Sequence, residues 1–332
     1  MADGKWITGL APDMSVAEAA KVVLAARFEV VRQELPLVLD KPYENPEHVH
    51  QLRVGTRRAA AALRVFKDCF PRKPLRAVKS HLRNIRQAAG DARDWDVFRL
   101  GLPTAKPLTT SAGKPALDFL LGYAIGERSA AQIRLVDAVV DDGPRFSELS
   151  TAFPQLAEQT REPDQFPNFG TLAAVQFGQL LGAFDDAVKA NPTEPHDLHQ
   201  LRILGKRTRY ALEIFVSCFP PAFKDAVYPA VEHAQELLGE IQDAAVGRDR
   251  LMAMRERVKK AMPEEWPRLR KGFEGLISSM RTKIPGGRKA FQAWHKDWDK
   301  LINAVKLEIA TATTTASAAP RRESTPHPVP RD

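Results

Sequence analysis

The chain has 332 residues, 44% of them hydrophobic, with 49 Lys and Arg against 41 Asp and Glu. That length suits about two domain-sized units, and the surplus of 49 − 41 = 8 positive charges, with a pI near 9.5, makes a polyanionic partner plausible on charge alone. Two cysteines argue against a disulfide framework or a cysteine metal site and fit a reducing, cytoplasmic compartment, and no apolar run reaches the roughly 18 residues of a membrane span.

Met1 to about Asp13 is a short polar lead without the basic and apolar regions of a secretory signal. Ser15 is placed to cap a helix to about Leu39, with Glu18 as its capping-box partner and Val22, Leu24, Phe28, Val31 and Leu35 as its apolar face. Pro42 and Pro46 break the chain before the next helix, which runs to about Phe70 and stops at Pro71. On that helix His50, Arg53, Arg57 and Arg64 stand at i, i+3, i+7 and i+14 and fall within roughly 60° of one another. Leu52, Ala59, Leu63 and Phe66 lie on the opposite, packing side.

The following segment carries a second cationic ladder, Arg72, Arg76, Lys79, Arg83 and Arg86, beside an apolar stripe of Leu75, Val78, Leu82 and Ile85. Two such helices joined by a tight turn are expected to pack antiparallel. If both cationic faces look the same way, they line one groove. Arg93, Asp94 and Asp96 close the unit. Its carboxylates read better as partners that orient the arginines than as a metal site, because two aspartates alone hold magnesium poorly.

Residues 101–114 read as a loop, 115–139 as a helix ended by Asp141-Asp-Gly-Pro144, 145–160 as shorter helical pieces, and Pro163–Asn168 as a linker. A helix over 169–189 opens the second half, and 196–218 is a second histidine helix. Helices over about 221–245, 248–261, 264–281 and 287–310 follow. The Thr/Ala/Ser/Pro-rich stretch beyond Ala310 has no packing pattern and is expected to be disordered. The domain layout is therefore a lead (1–12), a first repeat (13–162), a linker (163–168), a second repeat (169–309) and a tail (310–332). No strand alternation appears, so the fold class is all-α.

The two histidine helices are one sequence written twice. The offset is 199 − 50 = 149, with about 11 identities over the 22 positions of 50–71 against 199–220 and no gap. His50 matches His199, Arg53 matches Arg202, Arg57 is answered by Lys206, Arg58 matches Arg207, and Cys69-Phe-Pro matches Cys218-Phe-Pro. The register survives to Gly90 with Gly239 and Asp94 with Asp243. A period this long indicates a duplicated domain half rather than a solenoid. The halves differ in charge. Arg209 stands where the first has Ala60, Glu213 where it has Arg64, and Asp225, Tyr228, Glu232 and Gln235 where it has Arg76, Lys79, Arg83 and Arg86. Anion binding is expected to lean on the first half.

The blocks His50-x-x-Arg53-Val-x-x-Arg57-Arg58, Ala89-Gly-x-x-Arg93-Asp-x-Asp-Val97, His199-x-x-Arg202-x-x-x-Lys206-Arg207-x-Arg209-Tyr210 and Leu238-Gly-x-Ile-Gln-Asp243 resemble the CHAD family, the conserved histidine α-helical domain, over about residues 13–308. The resemblance implies two pseudo-symmetric four-helix bundles around a basic central pore that binds inorganic polyphosphate without turnover, and placement at polyphosphate granules. It makes His50, Arg53, Arg57, His199, Arg202, Lys206 and Arg209 phosphate contacts. Arg58 and Arg207 match the motif but lie off the stripe, where pairing with Asp94 and Asp243 is the alternative. Ala60 departs from the family, which usually has arginine there.

The residue types agree with that chemistry. A phosphate polymer offers repeated charge and no bases, so its binder needs cations at helical spacing rather than stacking platforms. Arginine grips phosphate oxygens bidentately and lysine acts as a point charge, which places Lys79, Arg83 and Arg86 in the candidate site with the two histidine stripes. Histidine gains charge as pH falls and then favours a polyanion. No catalytic residue, metal or cofactor is implied. Nucleic-acid binding is the main rival, on basic helices alone; weaker ones are a di-iron carboxylate enzyme citing Glu47-x-x-His50, which lacks a matching second motif, and a metal-dependent phosphohydrolase citing the His196-Asp197 dipeptide.

Overall fold

The computed structural model describes residues 5–40, 45–159 and 166–317, without the side chains of 158–159 and 306–317. Pro42, the linker residues 163–165 and the tail beyond 317 lie outside the described residues. Those described form eight α-helices, with short 3-10 and π-helical segments between them and no strand.

α1 (Val16–Asp40) opens with the expected capping box. The Glu18 N–H donates to Ser15 Oγ and the Ser15 N–H to a Glu18 carboxylate oxygen, each at 3.2 Å. α2 (Pro46–Val65) is capped by Asn45, whose Oδ1 accepts from the Glu47 N–H at 3.1 Å. A 3-10 turn over Lys67–Cys69 leads to α3 (Arg72–Gly101), and α4 (Lys114–Ala152) packs along α3. The second half consists of α5 (Phe169–Lys189), α6 (Pro195–Phe215), α7 (Tyr228–Ala261) and α8 (Trp266–Ser317). In each half every helix packs on the next. Asn168, expected as linker, caps α5 by accepting from the Thr171 N–H at 2.9 Å.

Three helices override the punctuation that the sequence suggests. α4 runs through Asp141–Pro144, α7 passes Gly247, and α8 passes Pro285–Gly287 and continues beyond Ala310 to Ser317. An internal proline costs about 3 kcal/mol. Here apolar side chains are buried on both sides of the break: Leu135 and Val139 before Pro144 with Phe146 after it, and Phe273 and Ile277 before Pro285 with Phe291 and Trp294 after it. Burying several large side chains outweighs one lost turn. Once a helix exists, adding residues such as 311–317 costs no new nucleation.

A continuous apolar cluster joins the halves, from Phe28 and Phe66 in the first to Phe169, Phe215 and Trp298 in the second. A separate cluster seals the far ends, where Leu102 and Leu120 meet Leu251, Met254 and Phe273. α2 and α6, the two histidine helices, touch each other. The shared core sets them side by side and so brings the cationic stripes of both repeats to one seam.

Candidate functional site

At the centre of the seam lie Arg53 and Arg57 of α2 and Arg202 and Lys206 of α6. Burial, then Arg202, Arg57 and Arg53, pull the Lys206 ammonium from 10.5 down to about 7, against the opposing Asp243 carboxylate. Burial and Arg53 lower the Arg57 guanidinium, which hydrogen-bonds the Tyr210 hydroxyl and also feels Arg202. Arg53 donates to Asp94 at 2.8 Å. Arg53 and Arg202 lie flat over Gly90 and Gly239, where a Cβ would stand 4.0 Å and 3.7 Å from their nitrogens.

His50 is half-buried in this group, and burial, then Arg93, hold its imidazole below the ordinary 6.5. His199 occupies the equivalent place with Nδ1 buried and without a hydrogen-bond partner among the described residues. Arg202 Nε, Arg209 Nε and Gln235 Nε2 are orphaned in the same way. Unmet buried polar groups are costly in a native protein; of these, Arg202 Nε and, one turn before it on α6, His199 Nδ1 offer places for an external partner, whereas the Arg209 guanidinium is already held by Glu232.

The remaining candidates divide. Lys79 and Arg86 of α3 stand near Arg64 at one end of α2 and Asp94 pairs with Arg53 at the other, so α3 runs antiparallel to α2; Arg207 of α6 also acts on Arg64, and Arg72 and Arg76 are exposed. Burial, Arg207 and Arg86 lower the Arg64 guanidinium. Arg83 is exposed and makes no hydrogen bond or ion pair among the described residues. Arg58 is engaged elsewhere. Its guanidinium grips Glu213 at 2.7 and 3.2 Å, whereas Asp94, its expected alternative partner, belongs to Arg53. Arg209 donates to Glu232 at 3.0 Å. Asp96 is buried and accepts from Arg128 at 2.8 Å, so Asp94 and Asp96 do orient arginines. Among the described residues no three His, Cys, Asp or Glu gather to hold a metal ion.

Residue-type matching overlooks the group that closes the second half: Glu213, 0% exposed, with Arg27, 2% exposed, and Tyr228, whose hydroxyl donates to Glu213 at 2.8 Å. Burial and Glu213 push the Tyr228 hydroxyl up, and burial pulls the Arg27 guanidinium down to about 10. The replacement of Arg64 by Glu213 at the equivalent position was its one visible trace.

An all-helical, internally duplicated domain with a cation-lined seam between its halves is the class that fold and site define. The chain belongs to the CHAD domain family, whose model matches residues 22–252. The crystal structure of the CHAD domain from the plant Ricinus communis is similar at 22% identity, over 88% of this chain and 95% of that one, with a TM-score of 0.69. PptA from Streptomyces chartreusis is similar at 17% identity, over 86% and 100% respectively, with a TM-score of 0.66. At such identities the likeness concerns the fold. No curated protein matches the chain by sequence. Among the described residues no helix is long and apolar enough to cross a membrane.

Proposed function

We propose that the protein binds inorganic polyphosphate without turning it over, in the seam between its two repeats. The observation that carries this reading is the gathering of Arg53, Arg57, Arg202 and Lys206, drawn from both halves, into one group in which burial and then the three guanidiniums lower Lys206 to about 7. Like charges held together are unfavourable by themselves and are relieved by a polyanion lying between them. The buried, unpartnered nitrogens of Arg202 and His199 supply donors for phosphate oxygens. The family is linked to polyphosphate, which agrees with this chemistry. Tyr210 and Tyr228, the tyrosines beside the cations of α6, are buried and so present no open platform for bases.

Titration with long-chain polyphosphate and with single-stranded DNA of equal charge, each at two salt concentrations, tests the reading. Polyphosphate is expected to bind more tightly and to release no orthophosphate in the presence of magnesium or manganese. Equal affinity for both polymers favours the nucleic-acid alternative, and orthophosphate release establishes catalysis.

A further inference from the structure

The duplicated seam is unequal in charge, and the inequality has a direction. Arg58 is equivalent to Arg207 (207 − 58 = 149) and Arg64 to Glu213 (213 − 64 = 149). Of these off-stripe arginines, Arg58 crosses from α2 to the other half. In the second half Arg58 meets Glu213 at 2.7 Å, and Arg27 adds a second guanidinium at 3.5 Å. Arg207, the equivalent of Arg58, is exposed and meets no carboxylate among the described residues; the charges that act on Arg64 are those of Arg207 and Arg86. One arm closes on a carboxylate, and the other presents cation to cation.

The partner helices repeat the contrast. Where α3 has Lys79, Arg83 and Arg86, α7 has Tyr228, Glu232 and Gln235. Glu232 takes Arg209 at 3.0 Å and Lys5 at 3.6 Å. The Lys5 ammonium lies 4.1 Å from the Tyr228 ring centroid, and Trp6 packs on the same ring at 4.9 Å. The second arm is filled by protein, including the segment before α1. Arg64, Lys79, Arg86 and Arg207 form no ion pair among the described residues; Asp68, which acts on Lys79, lies 4.0 Å from the Lys67 ammonium.

We propose that the polyanion follows a one-armed track. It runs from the central Arg53, Arg57, Arg202 and Lys206 group along α2 and α3 to Arg64 and Arg207, and it ends at the Glu213 plug on the other side. Arg207 is then a ligand contact that the second repeat supplies to the first, while Arg58 and Arg209 hold the protein together. The proposal rests on the polyphosphate reading and adds to it that a bound chain leaves the protein at the Arg64 end only.

Arg64→Glu tests this, because it sets a carboxylate opposite Arg207 as Glu213 stands opposite Arg58. An ion pair replaces a like-charge contact, so the variant is expected to melt no lower than the wild type. Binding of the full chain to long-chain polyphosphate is then measured over a series of salt concentrations. Two cations are withdrawn from the ligand, so the slope of log K against log salt should shrink by about 1.4, at roughly 0.7 per phosphate contact on a single strand. Arg207→Ala should shrink it by about 0.7. Arg209→Gln, in the closed arm, should leave the slope as it is. A wild-type slope in Arg64→Glu, or an equal loss in Arg209→Gln, overturns the one-armed track while the polyphosphate reading stands. A wild-type chain that does not bind polyphosphate overturns both.

Discussion

On the proposed polyphosphate reading, Lys206 makes binding proton-linked in a calculable way. Its ammonium has an ordinary value of 10.5 and sits at about 7 in the ligand-free protein. It is therefore about nine-tenths charged at pH 6 and about one-tenth charged at pH 8. A phosphate polymer in the seam favours the charged form and carries the group back toward its ordinary value. Binding at pH 8 then takes up close to one proton, and affinity falls about tenfold between pH 6 and pH 8, or about 1.4 kcal/mol. Long chains are the right ligand, since their internal phosphates stay ionised throughout and the titrating ends are few.

Isothermal titration calorimetry in buffers of differing ionisation enthalpy counts the protons directly. Lys206→Arg keeps the positive charge at all these pH values and should lose most of the pH slope while still binding at pH 8. His50, also depressed, accounts for a residual slope below its ordinary 6.5. The same shift sets the stability of the ligand-free protein. The native state binds fewer protons than the unfolded chain between about pH 7 and 10.5, so this group's contribution becomes more favourable as pH rises through that window. A Lys206→Arg protein with an unchanged pH slope, or wild-type binding without proton uptake at pH 8, refutes the reasoning.

Two further outcomes follow from the same geometry. Glu213→Gln leaves Arg27 and Arg58 without their shared carboxylate, and urea unfolding should show a loss of about 3–5 kcal/mol; a loss below about 1 kcal/mol means that the plug is not a stabilising ion cluster. Asp94→Asn removes the carboxylate that competes with phosphate for Arg53. The pair is partly exposed, at 23% and 53%, so competition titrations at low salt should show only a few-fold gain in polyphosphate affinity, about 0.5–1 kcal/mol. Weaker binding assigns Asp94 the opposite role, holding Arg53 in its productive orientation.

Helix identity and the cationic stripes were legible before any coordinates. Periodicity exposed both faces of α2 and α6, Ser15 and Glu18 announced the start of α1, and the offset of 149 paired His50 with His199 and Gly90 with Gly239. These are local properties, set by side-chain spacing and by the hydrogen-bonding habits of short polar residues. Helix ends were less legible. Pro144 and Pro285 signal termination locally, but the residues that outweigh them are buried against partners far along the chain.

Which carboxylates, if any, the motif arginines meet was decided only by tertiary contact. Arg58 and Arg207 occupy equivalent positions in the same motif and differ in what the other half places before them, Glu213 in one case and Arg64 in the other. Stripe analysis knows the phase of a residue on its own helix. It does not know the crossing of α2 with α6, which is fixed by the shared apolar core. A guanidinium's role follows from the charge it meets at the end of a long side chain, and that encounter spans 155 residues of sequence in the Arg58–Glu213 pair.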